Sequence, residues 1–301
     1  MHQFVTTLFN GISLSSIILL TSLGLAITFG LMKVINMAHG EFLMIGAYTT
    51  YVVQEIFAKF CPKSMMSLYY FVAIPSAFFV TFLLGSVLER FVIRRLYGRE
   101  IDSLLATWGI SLILQQAARS IFGTQGVNVN APSFLDGGIT IAGCTFSYNR
   151  LFIILMVALC LLLVWFIMYK SNFGKQMRAV MQNRTMAQCM GINSRKVDNI
   201  TFAIGSGLAG IAGCSVALLG SIDSTVGQSY IVNSFMAVVL GGVGKLAGTV
   251  IGSTIIGSAS IFTENYTSST IAKAIVLLIV IIFLQKRPQG LFVIKSRNLD
   301  E

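Results

Sequence analysis

The stretch Leu31-Met-Lys-Val-Ile-Asn-Met-Ala-His-Gly-Glu-Phe42 lies between two apolar runs of the sequence, residues 11–31 and 42–57. Its charged, polar or helix-weakening residues are Lys33, Asn36, His39, Gly40 and Glu41. Between two membrane spans, such side chains and broken backbone are tolerated only inside protein or beside a water-filled cavity. A simple cytoplasmic turn is the alternative for this stretch taken alone. The stretch therefore predicts either a functional helix break or a turn.

The composition places the whole chain in a membrane. Of its 301 residues, 55% are hydrophobic and 11% are charged, and the mean hydropathy is +0.81. A water-soluble domain needs more polar surface than this, and a disordered chain needs far more. The composition excludes a soluble enzyme and an intrinsically disordered protein.

Apolar stretches long enough to span a bilayer recur along the chain. They cover residues 11–31, 42–57, 70–88, 104–121, 151–169, 200–220, 231–262 and 271–284. The sequence predicts an all-α fold, a polytopic transmembrane helical bundle with about eight spans and glycine-broken helices. We expect a single transmembrane domain over residues 1–301.

The net charge of +10 indicates membrane orientation and not nucleic-acid binding. Fourteen of the 21 basic residues lie in three short blocks, and each block abuts an apolar stretch, as is typical of cytoplasmic loops. The blocks are Arg90, Arg94, Arg95 and Arg99; Lys170, Lys175, Arg178, Arg184, Arg195 and Lys196; and Lys286, Arg287, Lys295 and Arg297. Because no basic surface with interleaved aromatic residues stands apart from the spans, no nucleic-acid partner is predicted.

A second interruption lies inside residues 231–262, which are too long for one simple span. It contains Gly241, Gly242, Gly244, Lys245 and Gly248. Glycine weakens a helix and exposes backbone groups that need partners, so we predict two short helices that dip into the membrane and return. In transporters, matching interruptions in the two halves point to the substrate pathway.

No arrangement of catalytic or metal-binding residues is evident in the sequence. His2 and His39 are the only histidines, the five cysteines form no C-x-x-C pair, and Leu246 stands where a phosphate loop needs Ser or Thr. We predict no catalytic residues, no metal and no cofactor. Solute transport would then draw on an ion gradient or on a separate subunit that hydrolyses nucleotide.

The cytoplasmic segment 170–199 has the pattern of a short helix outside the bilayer. Its apolar residues lie near helical spacing between Gly174 and Met190, and Gly191 is a natural stop. Six basic residues suit a surface helix that rests on anionic headgroups. A docking helix that carries force from a cytoplasmic partner into the spans is the alternative.

Several motifs resemble one family in order along nearly the whole chain. The run Gly30-Leu-Met-Lys-Val-Ile-Asn-Met-Ala-His-Gly-Glu-Phe-Leu-Met-Ile-Gly-Ala-Tyr48 resembles the N-terminal signature of permease subunits of ATP-binding cassette importers for branched-chain amino acids and related solutes. Further similar segments are Met190-Gly-Ile192, Leu208-Ala-Gly-Ile-Ala-Gly213, Val239-Leu-Gly-Gly-Val-Gly-Lys-Leu-Ala-Gly248 and Arg287-Pro-Gln-Gly-Leu-Phe292. The segments that look most like the urea permease branch are Thr107-Trp-Gly-Ile-Ser-Leu-Ile-Leu-Gln-Gln116, Gln182-Asn-Arg184 and Gly227-Gln-Ser-Tyr-Ile-Val232.

The resemblance implies a heteromeric importer in the bacterial inner membrane. The implied partners are a second related permease, two ATPase subunits, an extracytoplasmic solute-binding protein and membrane lipid. The residues expected at the ATPase contact are Gln182, Asn183, Ala187 and Gly191. The acidic-Ala-Ala start of such coupling segments is absent here, which leaves the detailed contact open.

These observations lead to one main hypothesis and two alternatives. The main hypothesis is a permease subunit, not an enzyme, that translocates urea, with Asn36, His39 and Glu41 as gate or path residues. Glu41 as a brace of the broken helix that never meets solute is the competing role. The alternatives for function are the same complex acting on branched-chain amino acids, and a stand-alone channel or ion-coupled carrier.

Overall fold

The computed structural model describes residues 2–32, 34–60, 62–132, 134–135, 137–141 and 144–292. Lys33, Lys295 and Arg297 lie outside the described residues. Within the described part, the chain forms a helical bundle and one β-hairpin. The elements are α1 (His2–Met32), α2 (His39–Phe60), α3 (Tyr69–Phe91), α4 (Glu100–Phe122), β1 (Gly138–Ile141), β2 (Cys144–Ser147), α5 (Tyr148–Lys170), α6 (Asn172–Gln182), α7 (Arg184–Cys189), α8 (Ser194–Ala217), α9 (Val226–Gly241), α10 (Leu246–Glu264) and α11 (Ser269–Lys286).

The helices follow the predicted apolar stretches, and the prediction of a polytopic helical bundle is confirmed. In the described residues, six helices are long and apolar enough to cross a membrane, and they contain α1, α3, α5, α8, α10 and α11. Two further long helices, α2 and α4, carry more polar residues, and α9 has only 16 residues. The polar residues of α2 and α4 indicate that these two helices face protein rather than lipid along part of their length.

Helix α8 is the centre of the bundle because its small residues let three neighbours approach its backbone. A Cβ atom on Gly205 would lie 2.8 Å from the carbonyl oxygen of Gly24 in α1. A Cβ on Gly210 would lie 2.7 Å from a carbonyl of α3, and one on Gly46 of α2 would lie 2.1 Å from the carbonyl of Gly210. Such contacts between small residues are a main source of helix association in lipid. Helices α1, α2 and α3 therefore pack directly on α8.

The basic blocks that the structure describes gather at one end of the bundle, here called the basic end. Arg94, which follows α3, and Arg184, which starts α7, lie on one side-chain network with residues at the start of α8. The end of α1 lies there too, since a Cβ on Gly30 would be 3.7 Å from the side chain of Met181. The other end of the bundle is called the opposite end.

The hairpin at the opposite end is a small departure from the all-α prediction. Strands β1 and β2 pair antiparallel, with Gly138 opposite Ser147 and Ile141 opposite Cys144. A backbone bridge between Val127 and Ile222 joins the same connection to the residues between α8 and α9. These pairs provide hydrogen-bond partners outside the helices for part of the polar connection between α4 and α5.

The interruption in residues 231–262 is a glycine break, but its placement differs from the prediction of two short dipping helices. Gly242 and Gly244 have φ angles of +96° and +86°, which favour glycine. A Cβ on Gly30 would lie 2.9 Å from Gly244, so the break stands at the basic end beside the end of α1. Helix α10 is long enough to span on its own. Because residues 231–262 are apolar on both sides of the glycines, the sequence did not show that the break lies at the basic end.

The residues after α11 close this break. The amide of Leu291 donates to the carbonyl of Leu240 at 2.8 Å, and the amide of Phe292 donates to the carbonyl of Gly241 at 3.2 Å. Gly290, with a φ of +76°, packs against Gly242. Two carbonyls that end α9 therefore receive hydrogen bonds from the C-terminal segment.

We expect Gly46→Ala to destabilise the bundle by roughly 1–3 kcal/mol, because the added methyl meets the backbone of Gly210, which cannot rotate away. Thermal unfolding of the purified protein in detergent measures the change. Gly109→Ala is the matched control, since no atom lies within 4 Å of its added Cβ and alanine favours the helix. Equal melting temperatures for the two variants would contradict the packing described for α8.

Candidate functional site

The helix break between α1 and α2 is held by a hydroxyl of α4. Residues 34–38 are not helical. The amide of Met37 donates to Oγ1 of Thr107 at 3.1 Å, and the same hydroxyl donates within α4 to the carbonyl of Ser103 at 2.8 Å. Oδ1 of Asn36 accepts a hydrogen bond from the amide of Ala38 at 3.0 Å. Protein groups therefore satisfy this part of the broken backbone, as a break inside a membrane requires.

His39 joins the first turn of α2 to the middle of α1. Its ring is fully buried, and Nε2 lies 3.0 Å from the carbonyl oxygen of Thr21. Because a carbonyl only accepts, Nε2 carries the hydrogen and Nδ1 is left as an acceptor. Among the described residues, Nδ1 has no hydrogen-bond partner. A Cβ on Gly24 would lie 3.0 Å from Cε1, so the glycine makes room for the ring.

Glu41 joins α2 to α4 through a buried carboxylate. Its residue is 1% exposed, and Oε1 accepts hydrogen bonds from Oγ of Ser111 at 2.8 Å and from Nε2 of Gln115 at 2.7 Å. Within the described chain, Oε2 has no hydrogen-bond partner. Two hydrogen bonds to one buried oxygen therefore connect α2 directly to α4 at this point.

The sequence prediction did not include Ser111 and Gln115 among the site residues. Both lie on α4 with Thr107 at spacings of four residues, and all three are buried. A row of polar residues at i, i+4 and i+8 within an apolar helix is a signal of a protein-facing side. The sequence does not show that Glu41 is the partner of this row, because Glu41 lies 70 residues away from Ser111 along the chain.

The structure brings Asn36, His39 and Glu41 together on one short segment. Each is at most 1% exposed, and each makes at least one hydrogen bond that holds the break or connects it to a neighbouring helix. Each also keeps one polar atom without a partner among the described residues: Nδ2, Nδ1 and Oε2 respectively. The contacts of Glu41 are those expected of a brace, and the three unpaired atoms are buried inside the protein.

The predicted coupling segment, residues 170–199, contains two short helices, α6 and α7, where the sequence predicts one. Helix α6 ends at Gln182, and Asn183 then caps α7, with its Oδ1 accepting from the amide of Met186 at 3.0 Å. Asparagine competes for backbone hydrogen bonds in this way and favours helix starts. Gly191, with a φ of +81°, follows the end of α7. The amide of Ile192 donates a hydrogen bond to the carbonyl of Ala187.

Three of the four predicted coupling residues lie on the surface of this segment. Gln182, Asn183 and Gly191 are exposed, whereas Ala187 is 5% exposed and packs inward. The sequence prediction missed two apolar residues beside them, Met186 at 61% and Met190 at 77% exposure. Exposed methionines are adaptable contacts at protein interfaces. The surface at α7 is therefore suited to a protein partner.

Behind α7 lies a network of buried charges that the sequence did not reveal. Arg184, the first residue of α7, pairs with Asp198 of α8, which is fully buried. The guanidinium of Arg184 also lies over the ring of Tyr97, 4.8 Å from its centroid. This arrangement connects the coupling segment to the start of α8.

The network continues to α3 through Glu89, which is also fully buried. Its carboxylate accepts hydrogen bonds from Arg94 at 3.0 Å, from the hydroxyl of Tyr97 at 2.9 Å and from Nδ2 of Asn199 at 2.6 Å. Burial, followed by the nearby carboxylates of Asp198 and Glu89, raises the pKa of Tyr97 well above its ordinary value. The hydroxyl therefore stays protonated and donates.

The glycines predicted to break and pack helices lie on α9, on α10 and between them. A Cβ on Gly241 would lie 2.1 Å from the carbonyl of Gly248, and one on Gly248 would lie 2.2 Å from the carbonyl of Gly241. Gly242 and Gly244 form the break itself. In the part of the chain that the structure describes, no three His, Cys, Asp or Glu side chains gather as metal ligands.

We expect Arg184→Met to lower stability by several kcal/mol, because it leaves the buried carboxylate of Asp198 without its cation. Adding Asp198→Asn should restore much of the loss, and a double-mutant cycle followed by thermal unfolding measures the coupling. Arg99→Met is the control, since Arg99 and Asp102 form an exposed pair whose loss should cost less than about 1 kcal/mol. Additive effects of the Arg184 and Asp198 changes would show that the pair is not coupled.

Comparisons with known proteins agree with this architecture. The family model described as branched-chain amino acid transport system / permease component matches residues 7–285. The chain is 27% identical over 297 residues to the high-affinity branched-chain amino acid transport system permease protein BraD of Pseudomonas aeruginosa, covering 96% of both chains.

Two proteins named LivH are also similar over most of their length. The high-affinity branched-chain amino acid transport system permease of Escherichia coli K12 is 28% identical over 299 residues, covering 96% of this chain and 95% of the relative. A probable branched-chain amino acid transport permease of Methanocaldococcus jannaschii is 29% identical over 294 residues, covering 92% and 89%. No solved structure matches the chain.

These relatives are transport permeases and not enzymes. Their similarity extends over nearly the whole chain and, with the apolar helices, indicates a multi-pass protein of the inner membrane. The similarity to the urea permease branch that the sequence motifs predicted is not among these findings. The chain belongs to the family of permease components of branched-chain amino acid transport systems.

Proposed function

We propose that this chain is the permease subunit of an ATP-binding cassette importer that carries branched-chain amino acids across the inner membrane. The observation that supports this best is the similarity to BraD and LivH over 96% of the chain. The same similarity favours branched-chain amino acids over urea, the solute that the sequence motifs suggested. The whole chain, including the coupling segment 170–199, acts as one transmembrane permease domain.

The proposed partners follow from the two ends of the molecule. At the basic end, which we place in the cytoplasm, the surface of Gln182, Asn183, Met186 and Met190 receives one of two ATPase subunits. The opposite end receives the extracytoplasmic binding protein that delivers solute. A second, related permease packs beside this chain in the lipid bilayer and completes the path.

The proposed mechanism uses the chain's own contacts to connect these ends. Movement of the ATPase displaces α7, and the pair of Arg184 and Asp198 passes this displacement to α8. Helix α8 packs against α1 and α2, whose junction is the break at Asn36, His39 and Glu41. Opening of the hydrogen bonds between Glu41 and α4 would then change access to the path, so these residues act as a gate.

The solute is identified by uptake into proteoliposomes that contain the assembled importer. We expect labelled leucine to enter only with ATP on the ATPase side and the binding protein on the other side, while urea uptake stays at background. The physical reason is that the permease has no energy source of its own. Reconstitution without the ATPases is the control.

Each alternative function has its own result in this experiment. Urea uptake without leucine uptake would overturn the proposed substrate class and leave the importer. Uptake through the permease alone, without ATP, would identify a channel or an ion-coupled carrier and overturn the importer itself.

A gating role for Glu41 predicts that Glu41→Gln still assembles but transports several-fold more slowly per ATP hydrolysed. The amide oxygen of glutamine can still accept from Ser111 and Gln115, but a neutral acceptor holds α2 against α4 less strongly than a carboxylate. Uptake and ATPase activity of the same preparation measure this ratio. Glu264→Gln, which changes an exposed carboxylate at the end of α10, is the control. Loss of the assembled complex in Glu41→Gln would assign Glu41 to bracing alone.

A further inference from the structure

A cavity of about 430 Å³ opens between the last turns of α2 and the end of α4. It lies at the opposite end of the bundle, away from the basic blocks that the structure describes. Its walls include Tyr51, Glu55, Ile56 and Lys59 of α2 and Ile121 and Phe122 of α4. Pockets for small molecules commonly have volumes of about 300–1,000 Å³, so this cavity is large enough for one amino acid with some water.

The cavity stands at one end of a seam between α2 and α4, which run in the same direction. Going from the basic end, the seam contains the contact of Met37 with Thr107, then that of Glu41 with Gln115, and then the stacked rings of Tyr48 and Phe122. The last two contacts are seven residues apart on both helices. The side chains of the seam are more polar than those on the lipid-facing helices, as a solute path requires.

The walls of the cavity carry one negative and one positive group beside aliphatic side chains. Glu55 and Lys59 are four residues apart on α2, so their side chains start one helical turn apart on the same side. Neither makes an ion pair within 4.0 Å to any residue that the structure describes. Ile56 and Ile121 supply apolar surface next to them.

This combination matches the chemistry of an aliphatic amino acid. The zwitterion presents an ammonium and a carboxylate on adjacent atoms and a branched apolar side chain beyond them. Lys59 can pair with the carboxylate while Glu55 pairs with the ammonium, because opposite charges one turn apart match their short separation. Urea is neutral and has no apolar part, so it would gain little from these groups.

The floor of the cavity separates it from the buried polar cluster. Phe122 stacks on Tyr48 with ring centroids 4.3 Å apart and an angle of 12° between planes, and Tyr51 meets the same ring edge-on. The hydrogen bonds of Glu41 lie about 10 Å further along both helices, given the rise of an α-helix. An aromatic stack in this place closes the seam between the cavity and Glu41.

We propose that the cavity is an entry site for a zwitterionic aliphatic amino acid and that the stack of Tyr48 and Phe122 is its inner gate. This inference rests on the proposed function, since it takes the amino acid as solute. Lys59 holds the carboxylate of the solute, Glu55 holds its ammonium, and Ile56 and Ile121 contact its side chain. The solute then passes along the seam towards Glu41 when the rings separate.

The site is tested by photolabelling the assembled importer in nanodiscs with a diazirine analogue of leucine, without the binding protein. We expect labelled peptides to come from residues 51–59 and 121–127, and excess unlabelled leucine to suppress the labelling. Excess urea should not. Peptide mapping by mass spectrometry locates the label.

Variants at the two charges test the recognition itself. We expect Glu55→Gln and Lys59→Gln each to weaken competition by leucine at least about tenfold, which is the size of one lost charge-assisted contact. The matched controls are Glu264→Gln and Lys273→Gln, which change exposed charges on α10 and α11 outside the cavity. These controls should compete like the unchanged protein.

A third variant separates the gate from the binding site. Phe122→Ala should keep labelling in residues 51–59 and increase leucine leak through the importer in the absence of ATP, because the floor is opened. Unchanged leak in a folded Phe122→Ala complex would overturn the gate.

The entry site and the proposed function fail in different ways. ATP-driven leucine uptake without leucine-sensitive labelling of residues 51–59 and 121–127, or with full competition in both charge variants, would overturn the entry site and leave the function. Absence of leucine uptake in the unchanged importer would overturn the function itself. Labelling that depends on Glu55 and Lys59 in an importer that takes up leucine supports both.

Discussion

Backbone groups that leave a helix at membrane depth must find hydrogen-bond partners within the protein, and this requirement governs the first break of the chain. Between α1 and α2, partners come from Asn36 within the break and from Thr107 on α4. Without α4 in place, the amide of Met37 would lose its partner. The position of α4 is therefore part of the break, although α4 is separated from it in sequence by all of α2 and α3.

The same requirement explains why α2 and α4 are more polar than their neighbours. Thr107, Ser111 and Gln115 form one side of α4 and meet the break and Glu41. The other side of α4 is apolar, with Leu105 and Ile113 more than half exposed. A helix with both sides apolar would be a better lipid span, but it would leave the carboxylate of Glu41 buried without donors, which is costly.

The helices of the bundle meet at two kinds of interface. Helix α8 meets α1, α2 and α3 at glycines that lie close to the backbone of the neighbouring helix. These helices therefore cannot slide past one another without steric clashes. The seam between α2 and α4 is held instead by side-chain hydrogen bonds and stacked rings. Side chains rotate between discrete positions, whereas close-packed backbones resist displacement. The seam is therefore the interface that can adapt more readily to a displacement of its helices.

Much of the fold was predictable from the sequence because membrane spans depend on local composition. The eight apolar stretches fall on helices, and the glycine break after α9 was visible in Gly241 to Gly248. The features that the sequence concealed depend on pairs distant in the chain. Glu89 lies near the end of α3 and Asp198 near the start of α8, and only folding brings Tyr97 and Arg184 to them. The break at Asn183 was hidden for another reason, since helical spacing continues across it.

The C-terminal segment has a consequence for biosynthesis. The carbonyls of Leu240 and Gly241 accept hydrogen bonds from Leu291 and Phe292, which leave the ribosome some fifty residues later. Helix α9 cannot complete its end before residues 291 and 292 have been made, so the two carbonyls first need other donors, such as water. A nascent chain stalled before residue 290 would therefore leave the end of α9 without these two hydrogen bonds.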